Sequence, residues 1–169
     1  MSRPAVLYGC DELVGAWIKK RIPDDGGRFE NFKAMGVVVG DRLVAGVLWN
    51  MYYGHMISVT FVADSPRWAS RRILAELFEY PFCQLDVARI TAYTGRKNKS
   101  ARKLLEHLGF KVEGVMRKGR SRKEDAILYG MLKAECRWLR DARHDEHAGS
   151  AGGDGLAGRD AGQPGAAAL

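Results

Sequence analysis

The chain has 169 residues and a formal net charge of +7, from 27 Lys and Arg against 20 Asp and Glu, and 46% of its residues are apolar. This composition is typical of a folded globular protein and excludes a wholly disordered or fibrous chain. No apolar run approaches the roughly 18–20 residues that a membrane span needs, and the N-terminal sequence lacks the apolar core of a secretory signal. We therefore expect a cytoplasmic protein without membrane contact.

The composition changes near residue 141. Residues 148–169 are rich in Gly and Ala and contain no aromatic residue, so they cannot bury enough apolar surface to offset the entropy of ordering them. We predict one folded domain over residues 1–143 and a disordered tail over 144–169. Residues 1–140 then carry a net charge of +10, which favours an anionic ligand or partner.

Apolar spacing predicts the first half of the domain. A helix over 11–22 is expected to bury one face, made of Leu13, Val14, Trp17 and Ile18. Strands over 35–39 and 43–49 flank Gly40-Asp41-Arg42 and predict a hairpin. A further strand follows over 55–63.

Helix signals come next in the chain. Asp64-Ser65-Pro66 supplies residues typical of a helix start. The helix that follows is expected to end before Pro81 and to bury Ile73, Leu74, Leu77 and Phe78.

The second half repeats the alternation of strand and helix. A strand over 89–94 precedes an amphipathic helix over 98–108, which Gly109 is expected to stop. Strands over 110–117 and 126–132 flank a basic segment that we predict to be a loop. The whole order predicts an α/β protein with one mixed, mostly antiparallel sheet flanked by helices.

The cysteines and histidines do not indicate a disulfide, a redox pair or a metal site. The cysteines are odd in number, widely separated and without a C-x-x-C pair, which favours reduced, mostly buried thiols at Cys10, Cys83 and Cys136. His144 and His147 are too few to indicate a metal, so we predict no metal site.

Residues 98–117, NKSARKLLEHLGFKVEGVMR, resemble the second half of the GNAT superfamily of N-acetyltransferases. In that family a strand is followed by Asn, an amphipathic helix, Leu-Gly-Phe and a strand reading roughly EG-x-x-R. The residues in register are Asn98, Ala101, Leu104, Leu105, Leu108, Gly109, Phe110, Glu113, Gly114 and Arg117. Residues 125–129 resemble the closing strand of the ribosomal-protein-acetyltransferase-like branch.

The resemblance implies a single GNAT-like domain that moves an acetyl group from acetyl-CoA to a primary amine by direct attack. In the family, a loop reading Arg/Gln-x-x-Gly-x-Gly/Ala offers its N–H groups to the pyrophosphate at a helix N-terminus. Here residues 67–72 occupy that loop, and Ser70 and Arg72 replace its two small residues. The cofactor-binding residues that the resemblance implies are Phe61, Val62, Ala63, Arg67, Trp68, Ala69, Ser70, Arg71, Arg72, Asn98, Ala101 and Arg102.

The sequence does not identify the general acid or the general base of the reaction. Many relatives have a Tyr in this helix that protonates the departing thiolate, where this chain has Leu105. Ala101 stands where the alanine-acetylating relatives often have Ser. Our catalytic candidates are Asn98 and Ser100, with Tyr93 or a bound water as alternatives for the acid. The candidates for the base are His55, Glu30 and Tyr53.

An alternative is a non-catalytic module of the same fold that binds an anionic partner such as nucleic acid. Residues 89–123 carry twelve basic and two acidic residues, which suits sequence-independent phosphate binding. If the family layout holds, residues 35–49 and 118–124 border the acceptor, whose identity the sequence leaves open. The sequence also leaves open whether the protein is a monomer or a dimer.

Overall fold

The structure, a computed structural model, describes residues 2–22 and 29–139. The predicted tail at 144–169 and the domain boundary at residue 143 lie outside the described residues. The strands and helices are β1 (Ala5–Leu7), α1 (Asp11–Lys19), β2 (Lys33–Val39), β3 (Arg42–Asn50), β4 (Met56–Ala63), α2 (Arg71–Glu79), β5 (Arg89–Gly95), α3 (Lys99–Leu108), β6 (Lys111–Ser121) and β7 (Glu124–Leu132).

All seven described strands form one sheet in the order β1-β2-β3-β4-β5-β7-β6. Neighbouring strands are antiparallel except β4 and β5, which run parallel. A parallel pair needs a crossover connection, and α2 supplies it between these two strands. The predicted α/β class with a mixed, mostly antiparallel sheet is confirmed.

The two faces of the sheet are covered differently. α2 and α3 pack on one face over the main core, which includes Phe78 and Leu105. α1 packs on the other face over β2 and β3, where Val14 and Ile18 meet Leu48. The close approach depends on Gly46, because a Cβ there would lie 2.8 Å from Ile18 Cγ1.

The α1-side face of β5, β7 and β6 has no helix over it in the described part of the chain. Tyr93 and Leu132 on this face are 53% and 45% exposed. Glu113 reaches across it instead, and its Oε2 lies 2.6 Å from an Arg89 guanidinium nitrogen. The Glu113 side chain passes directly over Gly130, where a Cβ would lie only 2.1 Å from Oε1.

α1 differs from the prediction in two ways. It ends at Lys19, and Leu13 is 59% exposed. The prediction that Leu13 is buried is wrong, because Val14 and Ile18 define the face toward the sheet and Leu13 lies about 100° around the helix from Val14.

The region of α2 corrects the predicted start of the helix and confirms its predicted end before Pro81, since α2 ends at Glu79. Residues 66–68 form a 3₁₀ turn, and the α-helix begins only at Arg71 with Ser70 as its N-cap. The chain then continues as a helical turn over Tyr80–Gln84 that contains Pro81. Proline is tolerated there because it lies in the first turn of the new segment. The four predicted buried residues are confirmed: Ile73, Leu74, Leu77 and Phe78.

Three other predictions change. The basic segment predicted as a loop is mostly strand, since β6 continues to Ser121 and β7 begins at Glu124. β1, which the sequence did not predict, has only three residues, too few to show a periodicity. Of the three cysteines only Cys136 is buried and Cys83 is exposed, so the prediction of mostly buried thiols is wrong.

The remaining elements match the prediction closely. β2 and β3 form the expected hairpin, and Gly40 in its turn has a φ of +63°. α3 begins after an Asn98 cap and ends at Gly109 in the left-handed conformation. Within the described residues no helix combines the length and apolar character that crossing a membrane requires.

Candidate functional site

The candidate site is a gap between β4 and β5. The two strands pair only through Met56 with Arg89, Ile57 with Ile90 and Ser58 with Thr91. Beyond these pairs, residues 59–63 and 92–95 continue as strands whose other edges pair with β3 and β7. The backbone groups on the facing edges therefore have no strand partner and are available to a ligand. We call this gap the wedge.

Both helices on the main-core face begin at the open end of the wedge. β4 and β5 are parallel, so their C-terminal ends lie at the same edge of the sheet, and α2 and α3 follow them. The first N–H groups of a helix have no intrahelical acceptor and carry partial positive charge. Two such N-termini beside one gap form an arrangement suited to a phosphate-bearing ligand.

The side chains of residues 61–63 and Trp68 pack against other side chains of the protein. Phe61 stacks on Trp68 with ring centroids 6.4 Å apart. Val62 packs against the α1-side cluster and Ala63 against the main core. These residues can therefore meet a ligand mainly through their backbone.

Trp68 also has an unsatisfied donor. Its side chain is 2% exposed, and its indole Nε1 makes no hydrogen bond within the described residues. Buried donors in folded proteins nearly always have a partner. Trp49 Nε1 on β3 is buried in the same way, without a partner in the described part of the chain, so this feature is not specific to the wedge.

The start of α2 is polar and basic. Ser70 Oγ accepts a hydrogen bond from the Ile73 N–H at 3.4 Å, so the hydroxyl caps the helix as Ser commonly does. Arg67, Arg71 and Arg72 are exposed around it, and Ala69 packs against the core. The exposed position of Arg72 leaves its guanidinium free to approach an anion from outside the helix.

The start of α3 shows the same design. Asn98 Oδ1 accepts a hydrogen bond from the Ala101 N–H at 3.1 Å, so Asn98 is an N-cap and its amide nitrogen is left to donate elsewhere. Arg102 donates to Tyr129 Oη at 3.2 Å and to the Arg96 carbonyl at 3.4 Å. The hydrogen bond to Tyr129 raises the pKa of Arg102, and this guanidinium holds α3 against β7.

The acid and base candidates lie in different places. Ser100 is exposed in the first turn of α3, whereas Tyr93 is on the opposite, α1-side face of β5. His55 precedes β4 at the closed end, and its carbonyl accepts the Ala88 N–H at 2.8 Å. Glu30 and Tyr53 are exposed in the segments before β2 and β4. Asn98 and Ser100 lie together at the start of α3. Of the base candidates, Tyr53 and His55 are neighbours, and the His55 N–H donates to the Tyr53 carbonyl at 2.8 Å.

Sequence reasoning missed the wedge and the packing of Trp68. The point where β4 and β5 stop pairing depends on contacts between residues far apart in the chain, so no run of neighbouring residues marks it. The Ser70 cap had a signal, because Ser three residues before buried Ile73 is a common helix start. Among the described residues no group of three His, Cys, Asp or Glu side chains could hold a metal ion.

Comparison by sequence finds little. No protein-family model matches this chain, and no curated protein matches it.

Comparison by structure finds acetyltransferases. A chimera of spermidine N-acetyltransferase SpeG from Vibrio cholerae and hSSAT superposes with a TM-score of 0.64 and 14% identity, covering 82% of this chain and 99% of that one. Ribosomal-protein-S5-alanine acetyltransferase from Vibrio fischeri gives a TM-score of 0.60 and 16% identity, covering 81% and 97%. RimJ of Mycobacterium smegmatis in complex with CoA-disulfide gives 0.60 and 12%, covering 85% and 89%.

These likenesses extend over most of both chains in each pair. They agree with the sheet described above, in which one parallel pair joins two antiparallel parts. The chain therefore has the GNAT fold, the architecture that the sequence of residues 98–117 resembles.

Proposed function

We propose that this protein transfers an acetyl group from acetyl-CoA to a primary amine. The observation that carries the proposal is the wedge, with the N-termini of α2 and α3 at its open end. Acetyl-CoA combines phosphates with a long arm that contains two amides, so it needs anion donors next to backbone groups that can pair with amides. A gap between strands that opens toward two helix N-termini supplies both. One of the structural neighbours is a complex with CoA-disulfide.

The residues divide the binding between them. The backbone of residues 67–72 and the side chains of Arg67 and Arg72 would hold the phosphates through charge-assisted hydrogen bonds. The facing edges of β4 and β5 would hold the amide-containing arm, and Asn98 would donate its free amide hydrogens to it. Ser70 keeps the helix N-terminus in place through its cap.

The transfer reaction itself needs few side chains. The neutral amine nitrogen attacks the thioester carbon, the C–S bond breaks, and the departing sulfur gains a proton as the ammonium nitrogen loses one. An N–H of β4 that faces the wedge would stabilise the oxyanion. Because a thioester is already reactive, holding the amine about 3–3.5 Å from the carbonyl carbon supplies much of the rate. Ser100 is our candidate to protonate the sulfur.

Calorimetric titration with acetyl-CoA tests the binding step. We expect a dissociation constant between about 1 μM and 1 mM, the usual range for substrates. The double variant R67A/R72A is expected to weaken binding by about tenfold or more, since each charge-assisted hydrogen bond contributes roughly 1.5–3 kcal/mol. Arg3→Ala is the matched control, because Arg3 is also exposed but precedes β1 at the far edge of the sheet. Absence of binding below about millimolar would overturn the proposal.

Hydrogen exchange tests where acetyl-CoA binds. Acetyl-CoA is expected to protect the amides of residues 59–63 and 92–95 and to leave those of β2 unchanged. Protection confined to other elements would show that the wedge is not the binding site. A screen of amine acceptors with a thiol-release assay then identifies the acceptor class, and absence of release with every acceptor would leave a binding module only.

A further inference from the structure

A second surface lies beside the wedge, where the β6–β7 hairpin packs on the turn that follows β5. The Arg96 N–H donates to the Asp125 carbonyl at 3.0 Å, and Gly95 lies against Glu124 and Arg120. The two segments, 96–97 and 117–125, contain seven basic and two acidic residues, a net charge of +5. We call this surface the basic lobe; its exposed cations are Arg96, Lys97, Arg117, Lys118, Arg122 and Lys123.

The two carboxylates of the lobe point inward. Glu124 Oε1 accepts the Lys97 N–H at 2.9 Å. Asp125 Oδ1 accepts the Lys118 N–H at 2.8 Å, and its other oxygen is 4.0 Å from Arg96. These acids therefore join the hairpin to the turn through backbone groups, and they leave the cations facing solvent with little neutralisation.

Five of the six exposed cations of the lobe have no acidic partner among the residues that the structure describes. Within the described residues, Lys97, Arg117, Lys118, Arg122 and Lys123 make no ion pair. Like charges that crowd one surface repel each other, which costs stability unless an anion binds there. The lobe is therefore better explained as a contact surface than as part of the folding framework.

The composition of the lobe favours nucleic acid over an acidic protein. Its two segments contain no apolar side chain, whereas protein–protein interfaces have an apolar core and few lysines. Surfaces that bind the nucleic-acid backbone are strongly basic and polar. The lobe has no aromatic ring on which unstacked bases could stack, so the repeated phosphates of a duplex are its best match.

We propose that the basic lobe binds the phosphate backbone of a nucleic-acid duplex without reading its sequence. This binding goes beyond acetyl transfer and does not depend on it. The lobe adjoins the last residue of β5, Gly95, at the open end of the wedge. A duplex on the lobe would therefore lie next to the proposed transfer site.

Fluorescence anisotropy with a labelled RNA duplex of mixed sequence tests the proposal on the full chain. We expect a dissociation constant between about 10⁻⁴ and 10⁻⁶ M at physiological salt, weakening steeply between about 50 and about 200 mM. The triple variant K97Q/R122Q/K123Q is expected to bind about tenfold more weakly or worse, and to reduce the slope of log affinity against log salt by about 2–3. The control variant R3Q/K19Q/K20Q removes three exposed cations outside the lobe and is expected to bind like the wild type.

Four results would overturn the proposal, and the first three concern binding by the lobe itself. They are the absence of duplex binding by the wild type, an equal loss in the lobe and control variants, and tighter binding of polyglutamate than of the duplex. A saturating amount of CoA that displaces the duplex would also overturn it, because the lobe would then belong to the CoA site. Acetyl-CoA titration of the lobe variant keeps the two proposals separate, since we expect its acetyl-CoA affinity to be unchanged.

Discussion

The N-terminal part of the sheet, β2–β4, and the C-terminal part, β5–β7, differ in how their two faces are covered. β2–β4 lie between α1 on one face and the main core with α2 on the other. β5–β7 bury one face under α2 and α3, and the other face leaves Tyr93 and Leu132 about half exposed. A sheet covered on both faces gains more from burial. The N-terminal part therefore contributes most of the stability on the α1 side, and the C-terminal part keeps a surface open for contact.

The two parts also differ at one charged surface, the basic lobe. In the N-terminal part, Arg21 pairs with Asp64 at 2.8 Å and Lys33 with Asp11 at 3.0 Å. The first pair joins the segment after α1 to Asp64, which follows β4, and the second joins α1 to β2. The C-terminal part also has ion pairs, such as Arg89 with Glu113 at 2.6 Å, but within the described residues five of the six exposed cations of the basic lobe make none. Charges that are paired hold elements together, and those left unpaired are available to a ligand.

The largest test of this comparison uses two leucines on the same face of the sheet. Leu48 on β3 is fully buried under α1, whereas Leu132 on β7 is 45% exposed. We expect Leu48→Ala to lower the free energy of unfolding by about 2–5 kcal/mol through lost burial and a cavity. Leu132→Ala is expected to change it by about 0.5 kcal/mol or less. Urea denaturation of both variants measures the difference, and equal losses would show that the C-terminal face is covered after all.

A second test concerns Glu113, which crosses the open face above Gly130. We expect Gly130→Ala to push the Glu113 carboxylate aside, to break its ion pair with Arg89, and to cost about 1–2 kcal/mol of unfolding free energy. In a Glu113→Ala background the same change is expected to be neutral or slightly stabilising, because Ala fits a strand better than Gly. A double-mutant cycle by urea denaturation measures this coupling. Equal costs in both backgrounds would contradict the contact.

A third test uses the two helix caps that flank the wedge, one in each part. Ser70→Ala and Asn98→Ala are each expected to lower the free energy of unfolding by about 1 kcal/mol, the usual value of an N-cap. Asn98→Asp keeps a good cap and removes the amide donor. We therefore expect this variant to retain stability in urea denaturation and to bind acetyl-CoA more weakly in calorimetry. Unchanged affinity would restrict Asn98 to capping.

The smallest test is the pH dependence of the Arg21–Asp64 pair. The hydrogen bond from Arg21 lowers the pKa of Asp64 in the folded protein. Its contribution to stability is therefore present above the unfolded pKa of about 3.9 and is lost as the pH falls through the lower folded value. Urea denaturation at a series of pH values from about 6 downward measures the free energy of unfolding. We expect this free energy to fall less steeply with decreasing pH in Asp64→Asn than in the wild type. Asp41→Asn, in the exposed β2–β3 turn, is the control, and an identical profile in all three proteins would contradict the pair.

Local signals in the sequence predicted much of the fold. α3 was found from end to end because its leucine spacing, its Asn98 cap and its Gly109 stop all lie within a dozen consecutive residues. The β2–β3 hairpin was found because Gly40 supplies the positive φ that its turn requires. In each case the information lies in neighbouring residues.

The features that the sequence did not predict depend on distant residues. The wedge exists because β4 and β5 stop pairing after Ser58 and Thr91, and nothing near either residue marks that point. Only the basic segment between the two predicted strands of the β6–β7 hairpin resembled a loop, because its cations hid a strand pattern on an edge strand. In the candidate site, the sequence predicted the two helices that begin at the wedge. It did not predict that Trp68 packs against Phe61 or that Arg102 donates a hydrogen bond to Tyr129, because both contacts join residues that are distant or unpatterned in the sequence.

The three residue pairs that join β4 to β5 have a consequence for the order of folding. The β2–β3 and β3–β4 connections close short loops, whereas the β4–β5 contact must wait for the whole crossover through α2. Long loops close more slowly. We therefore expect a refolding chain to regain hairpin structure first and the capacity to hold a thioester last.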